Sequence, residues 1–282
     1  MGGLGNQMFQ FAAARSLSIK RKINFKIDFD DPYKYVKREF GLSAFKLETT
    51  KASQKELSKC KPKVRYEKQL WLLLGRNPLN RIYKEKRNYI FESGFFLCPD
   101  ESYVSGFWQT EKYFTDIEDI IRADFQFRSL PFGRNLEWLT IIRSFNAVSV
   151  HIRRGDYVSV PKTNQAHGLC SLNYYEKAFA HIASFVQSPV FFFFSDDMDW
   201  VKANIIISSP AYYVEGNDDA HNYEDLRLMS SCKHHIIANS SFSWWGAWLN
   251  PDKTKMVIAP KKWTAAEDIG NTDHIPSSWI LL

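Results

Sequence analysis

Short apolar runs, clearest in the second half of the chain, alternate with stretches in which apolar residues recur every three or four positions. The runs Ala147–Ile152, Val190–Phe194, Tyr212–Glu215, His235–Ala238 and Met256–Ala259 predict buried strands. Helices are predicted between them at Leu172–Val186, Met198–Asn204, Tyr223–Cys232 and Ser243–Leu249. Strand and helix in turn, with short connections, is the pattern of a parallel, doubly wound sheet. The first half is less regular. A helix is expected over Gln7–Lys20, where Ala12-Ala13-Ala14 favours it. Strands are expected at Ile23–Asp28 and Ser102–Trp108, and helices near Ser53–Leu57, Glu67–Leu74, Lys112–Ile121 and Leu136–Phe145. The expectation is an α/β protein of two domains, 1–145 and 146–282, facing each other across a cleft.

Length agrees with that division, since 282 residues suit two domains of ordinary size. A hydrophobic share of 45% with 24% charged residues excludes disordered and fibrous classes. The four cysteines, Cys60, Cys98, Cys170 and Cys232, have neither zinc-site nor disulfide-framework spacing and are expected as free thiols. No apolar run approaches the ~20 residues that span a bilayer. The N-terminus lacks the layout of a signal peptide. A cytoplasmic protein is expected.

Charge adds one feature. Between Lys51 and Arg87 twelve Lys or Arg face only Glu56, Glu67 and Glu85, so this segment holds more than the whole net charge of +6. With Leu70-Trp71-Leu72-Leu73-Leu74 inside it, segment 51–87 is a candidate peripheral contact with the inner face of a membrane, or simply a solvated helical face. No recognition module for nucleic acid accompanies the charge.

Chemistry concentrates in five places. In His151-Ile152-Arg153-Arg154-Gly155-Asp156-Tyr157, strand alternation sends His151 and Arg153 to one side, opposite Val150 and Ile152. Cationic groups at the carboxyl end of a core strand need an anionic partner, and ligands bind at that end of open α/β sheets. Phosphate suits the guanidinium fork. Arg153 is the leading clamp with Arg154 beside it, and His151 is placed to hydrogen-bond a base or sugar. Asp156 is either a proton acceptor or the carboxylate that pins an arginine. Gly2-Gly3-Leu4-Gly5-Asn6-Gln7 opens a helix and offers backbone N–H groups to an anion, yet lacks the dinucleotide and P-loop patterns. In Asn239-Ser240-Ser241-Phe242-Ser243, hydroxyl residues between strand and helix make both a cap and an anion nest. Ser195-Asp196-Asp197-Met198-Asp199 matches a metal-holding D-x-D element, but acidic capping of the following helix is favoured. Asp225 in Glu224-Asp225-Leu226-Arg227 serves the helix dipole or accepts from guanine.

Together these motifs resemble glycosyltransferase family 11, the bacterial and animal α-1,2-fucosyltransferases. The shared elements are residues 2–10, 151–157, 194–197 and 239–249, in the family's order over nearly the whole chain. The resemblance implies a GT-B fold, two Rossmann-like domains with the donor held mainly by the C-terminal one. It implies GDP-L-fucose as donor, a galactose-terminated oligosaccharide or lipid-linked glycan as acceptor, inversion at the anomeric carbon, no cofactor and no required metal. Surface-glycan or lipopolysaccharide biosynthesis is the setting it suggests. By the same resemblance Arg153 contacts the β-phosphate, and His151 and Asp225 contact guanine. Ser240, Ser241 and the Phe242 amide hold phosphate, while Gly3, Gly5 and Asn6 face the donor from the other domain. Asp196 and Asp197 are further candidates. Two departures stand out. The strand that normally precedes the glycine turn is absent, and Pro161 occupies the position where some superfamily members carry a glutamate base. Asp156 is the provisional base. The alternatives are transfer from another GDP-sugar, or a non-catalytic nucleotide-sugar or glycan-binding protein.

Overall fold

The computed structural model describes residues 2–29, 40–60, 81–265 and 272–282, and the chain is α/β. It divides into two compact units, Met1–Gln126 and Phe127–Leu282. The division falls ahead of the expected 145/146 boundary because the helix Arg134–Arg143 belongs to the second unit. Its Leu139 and Ile142 pack in one core cluster with Ala147, Val190, Phe192 and Leu228.

The first unit is built around α1 (Leu4–Arg21), which buries Met8, Phe9, Phe11, Ala12, Ala13 and Leu17. It ends where Lys22 turns left-handed, with Lys20 and Arg21 complementing the helix dipole. Two short parallel strands, β1 (Ile82–Lys84) and β2 (Tyr103–Ser105), pair in register. The expected strand Ile23–Asp28 is reduced to a single bridge between Ile27 and Lys51, while Phe25 packs edge-on against Phe11. The expected strand Ser102–Trp108 stops at Ser105, because the chain turns through Gly106 to a left-handed Trp108. The helix expected over Lys112–Ile121 breaks at Phe114 (φ −139°), giving two 3-10 turns before the helix Glu118–Asp124. The apolar stripe 70–74 of the basic segment lies outside the described residues.

The second unit is a six-stranded, wholly parallel sheet in the order β5-β4-β3-β6-β7-β8. Its strands are β3 (Asn146–Ile152), β4 (Pro189–Ser195), β5 (Ala211–Tyr213), β6 (His234–Ile236), β7 (Val257–Ala259) and β8 (Ile280–Leu281). Only β8 lacks a counterpart among the strands expected from sequence. Alternation puts Val148, Val150, Ile152, Phe191 and Phe193 in one core, and Ala147, Val190, Phe192 and Phe194 in the other. Both faces are therefore covered, as a parallel sheet requires. All four cysteines are free. No described helix is long and apolar enough to cross a membrane.

Candidate active site

The order of the sheet locates the site. The chain winds from β3 through β4 to β5 on one side and takes up β6, β7 and β8 on the other, so the winding reverses between β3 and β6. Ligands of doubly wound sheets bind at the carboxyl ends of the strands flanking such a reversal. Here those ends carry His151–Tyr157, which begins in the last two residues of β3, and Asn239–Ser243 beyond β6.

Register explains the arginines. Ile152 pairs with Ser195, so Arg153 and Asp196 follow the last paired residues of two adjacent parallel strands. Asp196 is 2.5 Å from Arg153 Nη1, and it accepts the Arg154 amide at 2.8 Å through its other oxygen. Asp156, one helical turn on, holds Arg153 Nη2 at 2.5 Å. Burial opposes the charge on Arg153, but Asp196 and Asp156 outweigh it and raise the pKa. The partner that a cation at a strand end demands is thus supplied from within the chain. A guanidinium has five N–H donors, so this pairing fixes its plane and leaves donors for a ligand.

Arg154 turns elsewhere. Its Nε donates to Asp197 at 2.9 Å and its guanidinium lies 3.8 Å from the centre of the Trp200 ring. Asp197 also caps the helix Met198–Asn204 by accepting the Trp200 amide. The Asp197 carboxylate of the D-x-D element is therefore committed to a cap and an ion pair.

His151 is buried at 6% exposure, with its ring 5.8 Å from that of Phe242. Burial pushes its pKa down to about 4, against the pull of Asp196, so the imidazole is neutral at pH 7. Its Nδ1 is buried without a hydrogen-bond partner. An orphaned polar atom on a core strand end is costly unless something binds it.

Ser240 caps the helix Ser241–Leu249, its Oγ accepting from the Phe242 amide at 3.3 Å. Ser241 opens that helix. Asn239, which opens the serine motif and had no role expected from its sequence, ties the surroundings together. Its Nδ2 lies within 3.3 Å of the carbonyls of His167, Gly168 and Trp263, and its own carbonyl accepts from the Tyr157 hydroxyl at 3.2 Å. Tyr157 stacks on His167 at 5.0 Å and lies beneath Arg153. The motif after β3 is thus bonded to the motif after β6. The two helices that make this possible, Gly155–Ser159 and Pro161–His167, have no core-facing stripe and were not expected from the pattern.

Asp225 stands in the first turn of the helix Asn222–Ser230 and accepts from Asn217 at 2.7 Å. Burial lifts its pKa to about 6, a perturbation that marks candidate sites. Its neighbour Glu224 is spent on Arg227 at 2.8 Å.

In the first unit the glycine turn begins α1 three residues earlier than expected, with Gly3 as N-cap and Gly5 already helical and buried. Gly2 leaves no room for a Cβ beside Asn6 Nδ2. Asn6 Oδ1 accepts from Gln109 at 2.6 Å, and Gln7 bridges the Gly2 carbonyl and the Gly41 amide.

Similarities to known proteins give the family. An alpha-1,2-colitosyltransferase of Escherichia coli is 35% identical over 292 residues, 99% of this chain and 96% of its own. The O-antigen biosynthesis glycosyltransferase WbnK, also of Escherichia coli, is 35% identical over 306 residues, 100% of this chain and 98% of its own. The galactoside 2-alpha-L-fucosyltransferase Sec1 of Mus musculus is 34% identical over 108 residues, 38% of this chain and 29% of its own. Residues 2–282 match the model of glycosyl transferase family 11, and the chain belongs to that family of glycosyltransferases, as a relative of the α-1,2-fucosyltransferases.

Proposed function

We propose that the protein transfers L-fucose from GDP-L-fucose to the 2-hydroxyl of a terminal galactose in a surface glycan, with inversion. The observation that carries this reading is Arg153, held in one plane by Asp196 and Asp156 beside a neutral His151 with an orphaned nitrogen. Galactose O2 attacks C1 of fucose from the face opposite GDP. The C1–O bond to the β-phosphate breaks, its electron pair staying with the departing GDP, and the O2 proton passes to a carboxylate base or to solvent. A guanidinium whose orientation is already fixed stabilises the departing diphosphate without reorganising. Ser240 and Ser241 at the helix start add donors for the same phosphates, the Phe242 amide joins them by exchanging the Ser240 Oγ for a phosphate oxygen, and Arg154 adds positive charge beyond its pair with Asp197. His151 and Asp225 hold guanine, and Gly3, Gly5 and Asn6 serve the donor from the first unit. Asp156 is the provisional base for the acceptor proton, but its ion pair with Arg153 favours the pinning role, in which case solvent takes the proton. This mechanism asks for no metal: arginine supplies the positive charge, and the Asp197 carboxylate is committed to Arg154.

A second reading is favoured by the similarity to a colitosyltransferase. Colitose is L-fucose without its 3-hydroxyl, so the same guanine and pyrophosphate contacts would serve GDP-colitose. A donor panel of GDP-L-fucose, GDP-colitose, GDP-mannose and GDP-glucose against β-galactosides, with the new linkage read by NMR, tests both. An α-1,2-linked fucoside formed in EDTA supports the first reading; transfer of colitose alone replaces it. The basic segment 51–87 is proposed as a membrane contact near a lipid-linked acceptor, which flotation with anionic vesicles checks.

A further inference from the structure

The turn Ser105–Gln109 leaves the carboxyl end of β2 and is held on several polar arms. Glu85, one residue past β1, accepts the amides of Phe107 at 2.7 Å and Trp108 at 3.1 Å. Gln10 donates to the Gly106 carbonyl at 2.9 Å, and Gln109 donates to Asn6 at 2.6 Å. This clamp is close-fitting and strained at one point. Only glycine fits at position 106, where a Cβ would stand 2.5 Å from the Glu85 Cβ and 2.8 Å from its Oε2. Trp108 takes a left-handed φ of 56°, rare for an aromatic residue. Burial raises the Glu85 carboxyl even though two amides hold it down. Strain of this kind persists where the surroundings over-determine it, and it collects at ligand sites.

The two aromatic residues of the turn part company. Trp108 goes inward at 2% exposure and packs among Tyr83, Phe95 and Tyr113. Phe107 goes outward at 39% exposure and has no ring partner among the described residues. The clamp therefore fixes the direction of one exposed ring, at the carboxyl end of a parallel strand pair, where ligands of α/β proteins sit.

We infer that Phe107 is the floor of an acceptor-sugar subsite and stacks on the apolar face of a β-galactoside. This rests on the galactoside acceptor proposed above. In galactopyranose the axial O4 leaves C3–H, C4–H and C5–H together on one face, and these polarised C–H bonds suit the negative face of an aromatic ring. O2 is equatorial, at the ring's edge, so the stack leaves the nucleophile uncovered. A β-glucoside, with O4 equatorial, offers a smaller apolar face. The bond from Gln109 to Asn6 ties this platform to the turn assigned to the donor.

Saturation-transfer NMR on the whole protein with GDP and methyl β-D-galactopyranoside reads the contact directly, whether or not any sugar is transferred. The strongest signals are expected at H3, H4 and H5, with weaker binding of methyl β-D-glucopyranoside. Phe107→Ala should weaken the galactoside by about tenfold, and Phe107→Tyr should restore it. Thermal unfolding of both variants shows that they are folded. A galactoside Kd unchanged in folded Phe107→Ala overturns the inference, as does a wild-type protein that shows no contact. Failure of the proposed reaction has a different signature: Phe107-dependent galactoside binding with no transfer from any GDP-sugar.

Discussion

Where Gly155 has only a hydrogen, the carboxylate of Asp196 fills the space that a Cβ would need. The glycine of the Arg-Arg-Gly-Asp run therefore serves the close approach of a carboxylate, which in turn holds Arg153 and the Arg154 amide. Gly155→Ala should push Asp196 off both. Overpacking of this sort costs about 1–3 kcal/mol, and lost orientation of Arg153 should lower kcat well beyond that loss of stability. Thermal unfolding and transfer kinetics on the variant check both. Wild-type kcat with a normal unfolding temperature would mean that Asp196 does not orient the arginine.

Arg153 itself is expected to be worth about 3 kcal/mol or more of transition-state stabilisation, as for other preorganised donors. Arg153→Ala should lower kcat by two orders of magnitude or more, on the order implied by that figure. Arg153→Lys should rescue little, because a single ammonium cannot meet Asp156 and Asp196 at once while facing a phosphate. Steady-state kinetics with saturating donor separates this from a defect in binding.

Asp156 separates two roles by its pH profile. If it pins Arg153, Asp156→Asn keeps a hydrogen-bond acceptor for Nη2, loses a modest factor in kcat and leaves the acidic limb in place. If it takes the acceptor proton, the loss is typically 10²–10⁴-fold, as for other general bases, and the acidic limb disappears. The ion pair at 2.5 Å leads us to expect the first outcome.

Much of the second unit was legible because both cores leave a regular trace. The nearly continuous burial of β3 and β4 follows from runs that are mostly apolar and feed two cores in turn, and the helix Met198–Asn204 begins where Asp197 caps it. The short helices after β3 were not legible. Gly155–Ser159 and Pro161–His167 bury no residue fully, so nothing in their pattern marks a helix. The first unit was read less well for a related reason. Its aromatic residues cluster at irregular spacing, as with Phe95, Trp108 and Tyr113, and a left-handed Trp108 ends the strand before its apolar run does. Within the site, the arginines announced themselves as charges at a strand end. Asp156 was legible as a carboxylate that could pin one of them, but the pairing of Asp196 with Arg153 was not, because it acts across a strand register that only the fold defines.

Buried histidines make stability fall in acid. His235 is fully buried between Ser149 Oγ at 2.8 Å from Nδ1 and Asn250 Nδ2 at 2.9 Å from Nε2. Because the amide nitrogen can only donate, Nε2 accepts and Nδ1 carries the proton. Burial, with Lys255 and His234 adding to it, holds its pKa well below the ordinary value, and burial brings His151 down to about 4. The unfolded chain therefore binds protons near pH 6.5 that the folded chain refuses. Stability is fully present above that pH and declines below it, by about 1.4 kcal/mol per buried histidine between pH 7.5 and 5.5. Urea unfolding at the two pH values should show the fall, and His235→Gln should lessen it.

Asn239 provides the sharpest test of how the two motifs are joined. Its Nδ2 faces three backbone carbonyls, and its Oδ1 takes a hydrogen bond from the Cys170 thiol at 3.5 Å. Asn239→Ala removes those donors and leaves buried carbonyls unpaired, at about 1–3 kcal/mol for each unsatisfied group. Asn239→Asp is nearly the same size but replaces the donor with a buried negative charge facing the same carbonyls. It should therefore be the worse substitution, although it is the closer in shape, and its unfolding temperature should lie below that of Asn239→Ala at neutral pH. Burial already lifts the neighbouring Cys170 thiol to about 11, so no proton from that side relieves the charge at pH 7. If Asn239→Asp were the more stable of the two, the amide would not be the donor that holds the His167, Gly168 and Trp263 carbonyls, whereas the bond from the Tyr157 hydroxyl to the backbone carbonyl of residue 239 would be untouched.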